Sequence, residues 1–266
     1  MSQQKRKKLR KDRVILLSLL ILFIIFALCV TISKLNKSNI NYQVDHSILN
    51  NNNSIDITIS AVGDIMVHDD QLKAQYDKDT NSYSFDNNFK HIKPYIENSN
   101  LSIGNLETTL AGKDSKYSAY PRFNSPHEVG DAFLDAGFNL VSLATNHTMD
   151  RGEAGVINSV NYWKSKKDVA VYSGQWISHE EREYETSQIY EVNGIKYAFF
   201  SYTTWTNGLE TPKGKEYLNN VYSDEKAAAD IAKVKDKCDI IIVAMHWGTE
   251  YSLGVDSSQD RIAKFL

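Results

Sequence analysis

The chain has 266 residues, of which 42% are hydrophobic and 24% are charged. This composition excludes a disordered polymer and predicts a globular protein with a hydrophobic core. The formal net charge of −3 is unevenly distributed. Residues 1–13 carry seven basic side chains and one acid, a charge of +6, so residues 14–266 carry −9. No stretch interleaves basic and aromatic residues as nucleic-acid-binding segments do, so no nucleic-acid partner is expected.

An uncharged apolar segment, residues 14–32, follows the basic tail. Its 19 residues are close to the length of a transmembrane helix and exceed the core of a cleaved signal peptide. Because the basic residues all precede it, we predict a transmembrane signal-anchor helix with residues 1–13 in the cytoplasm. Leu28 precedes Cys29 where a lipoprotein signal needs a small residue, so Cys29 is not expected to be lipidated.

Residues 33–54 are rich in Asn and Ser and lack hydrophobic periodicity, which predicts a flexible linker. We expect residues 55–266 to form one extracytoplasmic domain on the outer side of the cell membrane. This domain contains Cys238 alone, so we expect no disulfide within it.

Strand and helix patterns alternate from residue 55 onward, which predicts an α/β domain with helices covering a sheet. The predicted strands cover residues 55–62, 101–104, 139–144, 169–172, 189–192, 195–202 and 239–245. The predicted helices cover residues 85–98, 125–137, 153–166 and 224–237, and a last one reaches residue 266. Pro94 is a candidate interruption of the first helix. Asn193-Gly194 predicts a tight hairpin between two strands.

Polar side chains recur where these strands end. Asp64 follows the first strand, Glu107 the second, Asn146-His147 the third and His246 the last. In open α/β sheets ligands bind outside the carboxyl ends of strands, so these side chains are candidates for one site. Carboxylate, amide and imidazole groups together suit Mn²⁺, Fe or Zn²⁺, and the lack of nearby thiolates argues against a structural zinc site.

Four motifs in this order resemble the CapA/PgsA family of bacterial poly-γ-glutamate capsule biosynthesis proteins. They are GDIM (63–66), NLET (105–108), TNHTMDRG (145–152) and HWGTEY (246–251). FNSP (123–126) is similar to a further family segment, and the resemblance covers residues 55–266. The family is related to calcineurin-like metallophosphatases. The resemblance therefore implies an α/β/β/α sandwich with metals at the strand ends, here preceded by one transmembrane helix.

The motifs and the residues near them also suggest roles for individual side chains. The expected sets are the metal ligands Asp64, Glu107, Asn146 and His246, the catalytic pair His147 and Asp150, and the substrate contacts Asn105, Thr108 and Arg122. His147 would act as general acid or stabilise an oxyanion, with Asp150 orienting its ring. The expected cofactor is a divalent metal, Mn, Fe or Zn.

The sequence departs from the metallophosphatase pattern. Those enzymes open with Asp-x-His, whereas Met66 stands two residues after Asp64. Their bridging aspartate is replaced around Asn105 and Glu107. The Gly-His-x-x-His-type motif expected after the His246 strand is absent from the sequence, so we expect a domain that is incomplete at its C-terminus.

Three functions remain open at this point. The domain is a metal-dependent hydrolase at the cell surface, a non-catalytic subunit of a capsule-synthesis or export complex, or a surface scaffold with a vestigial site. The expected partners are the membrane, other membrane subunits of a capsule synthase, and poly-γ-glutamate. Because that polymer is polyanionic and residues 14–266 carry −9, its binding requires a local basic patch or the metal.

Overall fold

The computed structural model describes residues 54–266, so the predicted tail and anchor helix and nearly all of the linker lie outside the described residues. Within residues 54–266, no helix combines the length and the apolar character that a membrane crossing requires. Residues 55–266 cluster as one unit.

Strands and helices alternate through this unit. The strands are β1 (Ile59–Ile65), β2 (Tyr76–Asp77), β3 (Ser82–Tyr83), β4 (Leu101–Leu106), β5 (Leu140–Ser142), β6 (Val171–Ser173), β7 (Tyr190–Val192), β8 (Ile195–Thr203) and β9 (Ile240–His246). The helices are α1 (Asp69–Ala74), α2 (Asp86–Phe89), α3 (Lys93–Ile96), α4 (His127–Asp135), α5 (Gly152–Lys164), α6 (His179–Glu185), α7 (Asp224–Val234) and α8 (Ser257–Phe265). Short 3₁₀ turns lie at Lys113–Ser115 and Glu216–Leu218.

Two main sheets organise the strands. The first has the order β1-β4-β5-β6, and all its neighbours are parallel. The second has the order β7-β8-β9, in which β7 is antiparallel and β9 parallel to β8. β2 and β3 form a separate antiparallel hairpin. The prediction of a mixed α/β fold is therefore confirmed, with a parallel sheet at its centre.

The two faces of the first sheet contact different partners. On one face Val141 of β5 belongs to a buried cluster with Phe133 of α4 and Trp163 of α5. On the other face Leu140 lies in a cluster with Phe199 of β8. Because successive side chains of a strand point to opposite faces, the first sheet packs against helices on one side and the second sheet on the other.

The second sheet repeats this arrangement with its own helix. Phe200 of β8 and Val243 of β9 cluster with Ala227 of α7. The residues adjacent to these in each strand, such as Ile242, belong instead to the cluster between the sheets. The layers therefore run helices, parallel sheet, second sheet, helix.

Several predicted boundaries were wrong. The helix predicted over residues 85–98 is interrupted, as Pro94 indicated: it divides into α2 and α3, and Pro94 lies in the first turn of α3, where proline is tolerated. The first strand begins at Ile59 rather than Ile55, because its pairing with β4 begins there, and it extends through Asp64. The β2–β3 hairpin, α1 and α6 had no predicted counterpart.

Candidate metal centre

The carboxyl ends of strands from both sheets meet at one point. Asp64 lies near the end of β1, Glu107 directly follows β4, and His246 is the last residue of β9. The register of β1 against β4 shifts between Val62 and Asp64, so that Asp64 pairs with Asn105. Such a bulge redirects the side chains that follow it, which is how β1 turns Asp64 toward its neighbours.

Asp64, Glu107 and His246 form a compact trio, which we call the metal trio. Nδ1 of His246 lies 3.3 Å from Oδ1 of Asp64, and its Nε2 lies 3.6 Å from Oε1 of Glu107. One ligand atom from each residue lies within 4.8 Å of the other two. Ligands bound to one ion at about 2 Å lie up to about 4 Å apart, so a small contraction would let all three bind the same ion. Two carboxylates and an imidazole suit Mn²⁺, Fe or Zn²⁺.

Two asparagines flank the metal trio and present opposite ends of their amides. Asn105 donates through Nδ2 to Asp64 Oδ1 at 2.7 Å, while its Oδ1 accepts from Ser142 Oγ at 2.7 Å. Asn146 instead turns Oδ1 toward His246, 3.0 Å from Nε2. Asn146 therefore offers an oxygen to an ion in the trio, whereas Asn105 orients Asp64. The substrate role expected for Asn105 stays a prediction.

The ionisation of the trio reflects its burial and its negative charge. Burial, assisted by the charge of Asp64, raises the pKa of Glu107 to about 7, although the two nearby histidines oppose this. The hydrogen bond with His246 lowers the pKa of Asp64. Burial disfavours the charged form of His246, but the hydrogen bond to Asp64 and the charges of both carboxylates raise its pKa on balance. A cation bound in the trio would compete with protons for Glu107 and His246, the two members whose pKa is raised.

His147 and Asp150 form a second, buried pair beside the trio. Nδ1 of His147 lies 2.8 Å from Asp150 Oδ2, which also accepts the backbone N–H of Phe123 at 2.6 Å. Because a carboxylate can only accept, Nδ1 carries the ring proton and Nε2 is directed toward the trio. That Nε2 lies 3.9 Å from Glu107 Oε1. The structure thus brings the predicted catalytic pair together at the site, and its catalytic role stays a prediction.

Thr108 and Arg122, the other expected substrate contacts, do not join this cluster. Thr108 is 3% exposed, and its hydroxyl lies 2.8 Å from the hydroxyl of Ser125, so it packs below the surface. Arg122 is exposed, and its carbonyl oxygen accepts from Arg151 at 2.9 Å. Their contact with substrate stays a prediction.

Sequence reasoning missed two polar residues of the site. Ser142 holds Asn105 and also lies 2.9 Å from the hydroxyl of Ser201 in β8, which links the two sheets. Asn207, in the loop after β8, lies beside Asn146 and His147. The signal that could have found it is the Asn-Gly pair shortly after the end of an apolar strand, the same kind of position as the other site residues.

Comparison with known proteins finds similarity to bacterial capsule biosynthesis proteins. The family model described as bacterial capsule synthesis protein PGA_cap matches residues 58–266. The chain is similar to the capsule biosynthesis protein CapA of Bacillus anthracis, with 26% identity over 219 residues, 79% of this chain and 51% of that protein. It is also similar to the PGA biosynthesis protein CapA of Bacillus subtilis (strain 168), with 23% identity over 219 residues, 79% of this chain and 54% of that protein. The chain thus spans about half the length of the curated relatives it matches.

Proposed function

The chain belongs to the family of bacterial capsule synthesis proteins, and from that premise we propose that it takes part in making a poly-γ-glutamate capsule. The relatives are named for capsule and PGA biosynthesis, which supports this assignment. The proposed substrate or cargo is poly-γ-glutamate or a phosphorylated precursor of it. The proposed partners are the membrane subunits of a capsule synthase.

Within that role the domain is a metal-dependent hydrolase of the metallophosphatase kind. The single observation that carries this proposal is the metal trio, in which two carboxylates and an imidazole meet where strands of both sheets end. Asp64, Glu107 and His246 would hold the ion, with Asn146 supplying an amide oxygen. The layer order of helices, two sheets and helix also supports a metallophosphatase-like α/β/β/α sandwich.

The chemistry divides between the ion and the chain. A bound divalent ion polarises the bond to be cleaved and lowers the pKa of water. His147 can take up a proton at Nε2, the atom directed toward the trio, and return it there. Asp150 keeps the other ring proton on Nδ1 and fixes the ring orientation. The backbone N–H of Phe123 holds Asp150 in turn, so the pair is preorganised within the fold.

Membrane attachment is the second part of the proposal. In it residues 14–32 span the cell membrane and residues 55–266 face the exterior, because the basic residues all lie before the apolar segment. Proteolysis of intact cells tests this. Cleavage of the domain from outside is expected, and its protection would contradict the orientation.

A non-catalytic role in the same complex is the second candidate. The observation that favours it is Met66, which stands where metallophosphatases carry an imidazole. Among residues 54–266, the trio offers a single imidazole and one ion position. This candidate predicts a domain that folds and joins the complex but hydrolyses nothing.

Hydrolysis of a chromogenic phosphomonoester and of an acyl phosphate, with Mn²⁺ supplied, separates the two candidates. We expect turnover by the full 266-residue chain and its loss in His246→Ala. Arg261→Ala is the matched control, because Arg261 is exposed and pairs with Asp224 on the surface. Activity that is the same in wild type and His246→Ala, or absent from metal-loaded wild type, would contradict the hydrolase and leave the non-catalytic subunit.

A further inference from the structure

The loop that follows β8 contains a tight turn. The N–H of Leu209 donates to the carbonyl of Thr206 at 2.9 Å, which closes a four-residue turn. Its central residues, Asn207 and Gly208, both have positive φ, 52° and 73°. This is the conformation of a type I′ turn, for which Asn-Gly is a preferred pair. The turn by itself therefore explains why residue 207 is an asparagine. It does not use the side-chain amide, which can contact other residues.

The amide of Asn207 lies between two adjacent side chains of the site. Its Oδ1 accepts from Nδ2 of Asn146 at 3.3 Å, and its Nδ2 lies 3.4 Å from Nε2 of His147. The turn requires neither contact, since positive φ at residue 207 depends on the backbone alone. A second Asn-Gly pair forms the same kind of turn elsewhere in the fold. It is Asn193-Gly194, between β7 and β8, with φ values of 51° and 84°.

These contacts link the two halves of the site. Asn146 has one amide oxygen and one amide nitrogen, and only the oxygen can bind a cation. Because Asn207 Oδ1 accepts from the nitrogen, the oxygen of Asn146 is turned toward His246. On the other side, Asn207 Nδ2 donates to the free nitrogen of His147, whose second nitrogen is held by Asp150. The His147 ring is thus held at both ends.

We propose that Asn207 is a positioning residue, which sets the amide orientation of Asn146 and holds the His147 ring in place. The role of Asn146 as an ion ligand rests on the proposed function, but the contacts of Asn207 do not. The distances of 3.3 and 3.4 Å are at the long end for hydrogen bonds, so each contact is weak. Partners that orient a metal ligand change affinity or activity by about 10- to 100-fold when removed, and we expect the lower end.

Three variants of the full chain test this. Asn207→Gly keeps the backbone freedom of the turn and removes the amide. Asn207→Asp keeps an oxygen that can accept from Asn146 but loses the donor to His147. Asn193→Gly is the matched control, because it makes the same exchange in the same turn type away from the site.

The first readout is the ¹⁵N NMR spectrum of labelled histidines in metal-free protein. We expect the His147 ring signals to shift in both Asn207 variants and to stay unchanged in Asn193→Gly. The second readout is Mn²⁺ affinity by titration calorimetry. We expect a loss of about 10-fold in Asn207→Gly and no loss in Asn207→Asp, which keeps the acceptor for Asn146.

The two readouts separate the two proposals. His147 signals that are identical in wild type and both Asn207 variants would overturn the positioning role, whatever the metal does. Equal Mn²⁺ affinity in Asn207→Gly and Asn193→Gly would overturn the part that concerns Asn146. Wild type that binds no Mn²⁺ would contradict the metal centre of the proposed function, while the NMR comparison still decides the role of Asn207. If Asn207→Gly does not fold, the Asn207→Asp spectrum decides.

Discussion

Replacing Glu107 by glutamine should stabilise the metal-free protein at alkaline pH. Glu107 is 7% exposed, and burial raises its pKa from 4.5 to about 7. The folded state therefore binds this proton more tightly than the unfolded state does, so the contribution of Glu107 to stability falls as pH rises from about 4.5 through 7. Each unit corresponds to about 1.4 kcal/mol, so the loss above pH 7 is about 3 kcal/mol.

Glutamine has a similar shape and no charge, so it removes this cost. We expect the free energy of unfolding of Glu107→Gln to exceed that of wild type by about 3 kcal/mol at pH 8, and by less than about 1 kcal/mol at pH 5. Urea titrations with chelator present measure both values, and an unchanged m-value shows that the unfolded state is comparable. Glu97→Gln, at an exposed position, is the control.

The difference between the stability gains of Glu107→Gln at pH 5 and at pH 8 tests whether the charge of Glu107 is the cause. An equal gain at pH 5 and pH 8, or a loss at pH 8, would refute the argument that burial of a charged Glu107 is costly. If Glu107→Gln is more stable at pH 8 and no longer binds Mn²⁺, Glu107 lowers the stability of the metal-free protein and is needed to bind the cation.

Three further predictions concern the site and the core. Asp150→Asn should lower turnover at least 10-fold with little change in Mn²⁺ affinity, because it removes the carboxylate that holds His147 Nδ1. Steady-state kinetics measures the turnover and calorimetry the affinity. An unchanged kcat would contradict this role of Asp150. Gly104→Ala should destabilise the domain by about 1–3 kcal/mol in urea, because its Cβ would lie 2.5 Å from the Phe133 ring; wild-type stability would contradict it. Asp230→Ala should cost about 3–5 kcal/mol, because it leaves the buried Arg182 without its 2.5 Å partner, and a loss below about 1 kcal/mol would contradict it.

Sequence patterns could predict the strand ends but not how they meet. Asp64, Glu107 and His246 each follow an apolar run, so their positions at strand ends were predictable. That His246 arrives from the second sheet depends on the pairing of β9 with β8, and its approach to Asp64 spans nearly the whole domain. Contacts of such long range leave no local pattern in the sequence.

Helix α6 and the positions of Asn207 and Thr108 could not be predicted from local sequence patterns. Helix α6 has the sequence HEEREYE, which lacks an apolar stripe, and it begins where the hydroxyl of Ser178 accepts the N–H of Glu181. Asn207 has an ordinary turn sequence, and only its contacts with residues about 60 positions earlier connect it with the site. Thr108 lies within a site motif, yet the fold turns it inward to Ser125.

The metal content of the purified protein tests whether the trio binds an ion. The full chain is purified without chelator and analysed for manganese, iron and zinc beside Asp64→Ala and His246→Ala, with Asn193→Gly as the control. We expect close to one ion per wild-type and control chain and a large loss in both trio variants. A well-folded wild-type protein that holds no ion, or variants that retain it, would contradict a metal centre formed by Asp64, Glu107 and His246.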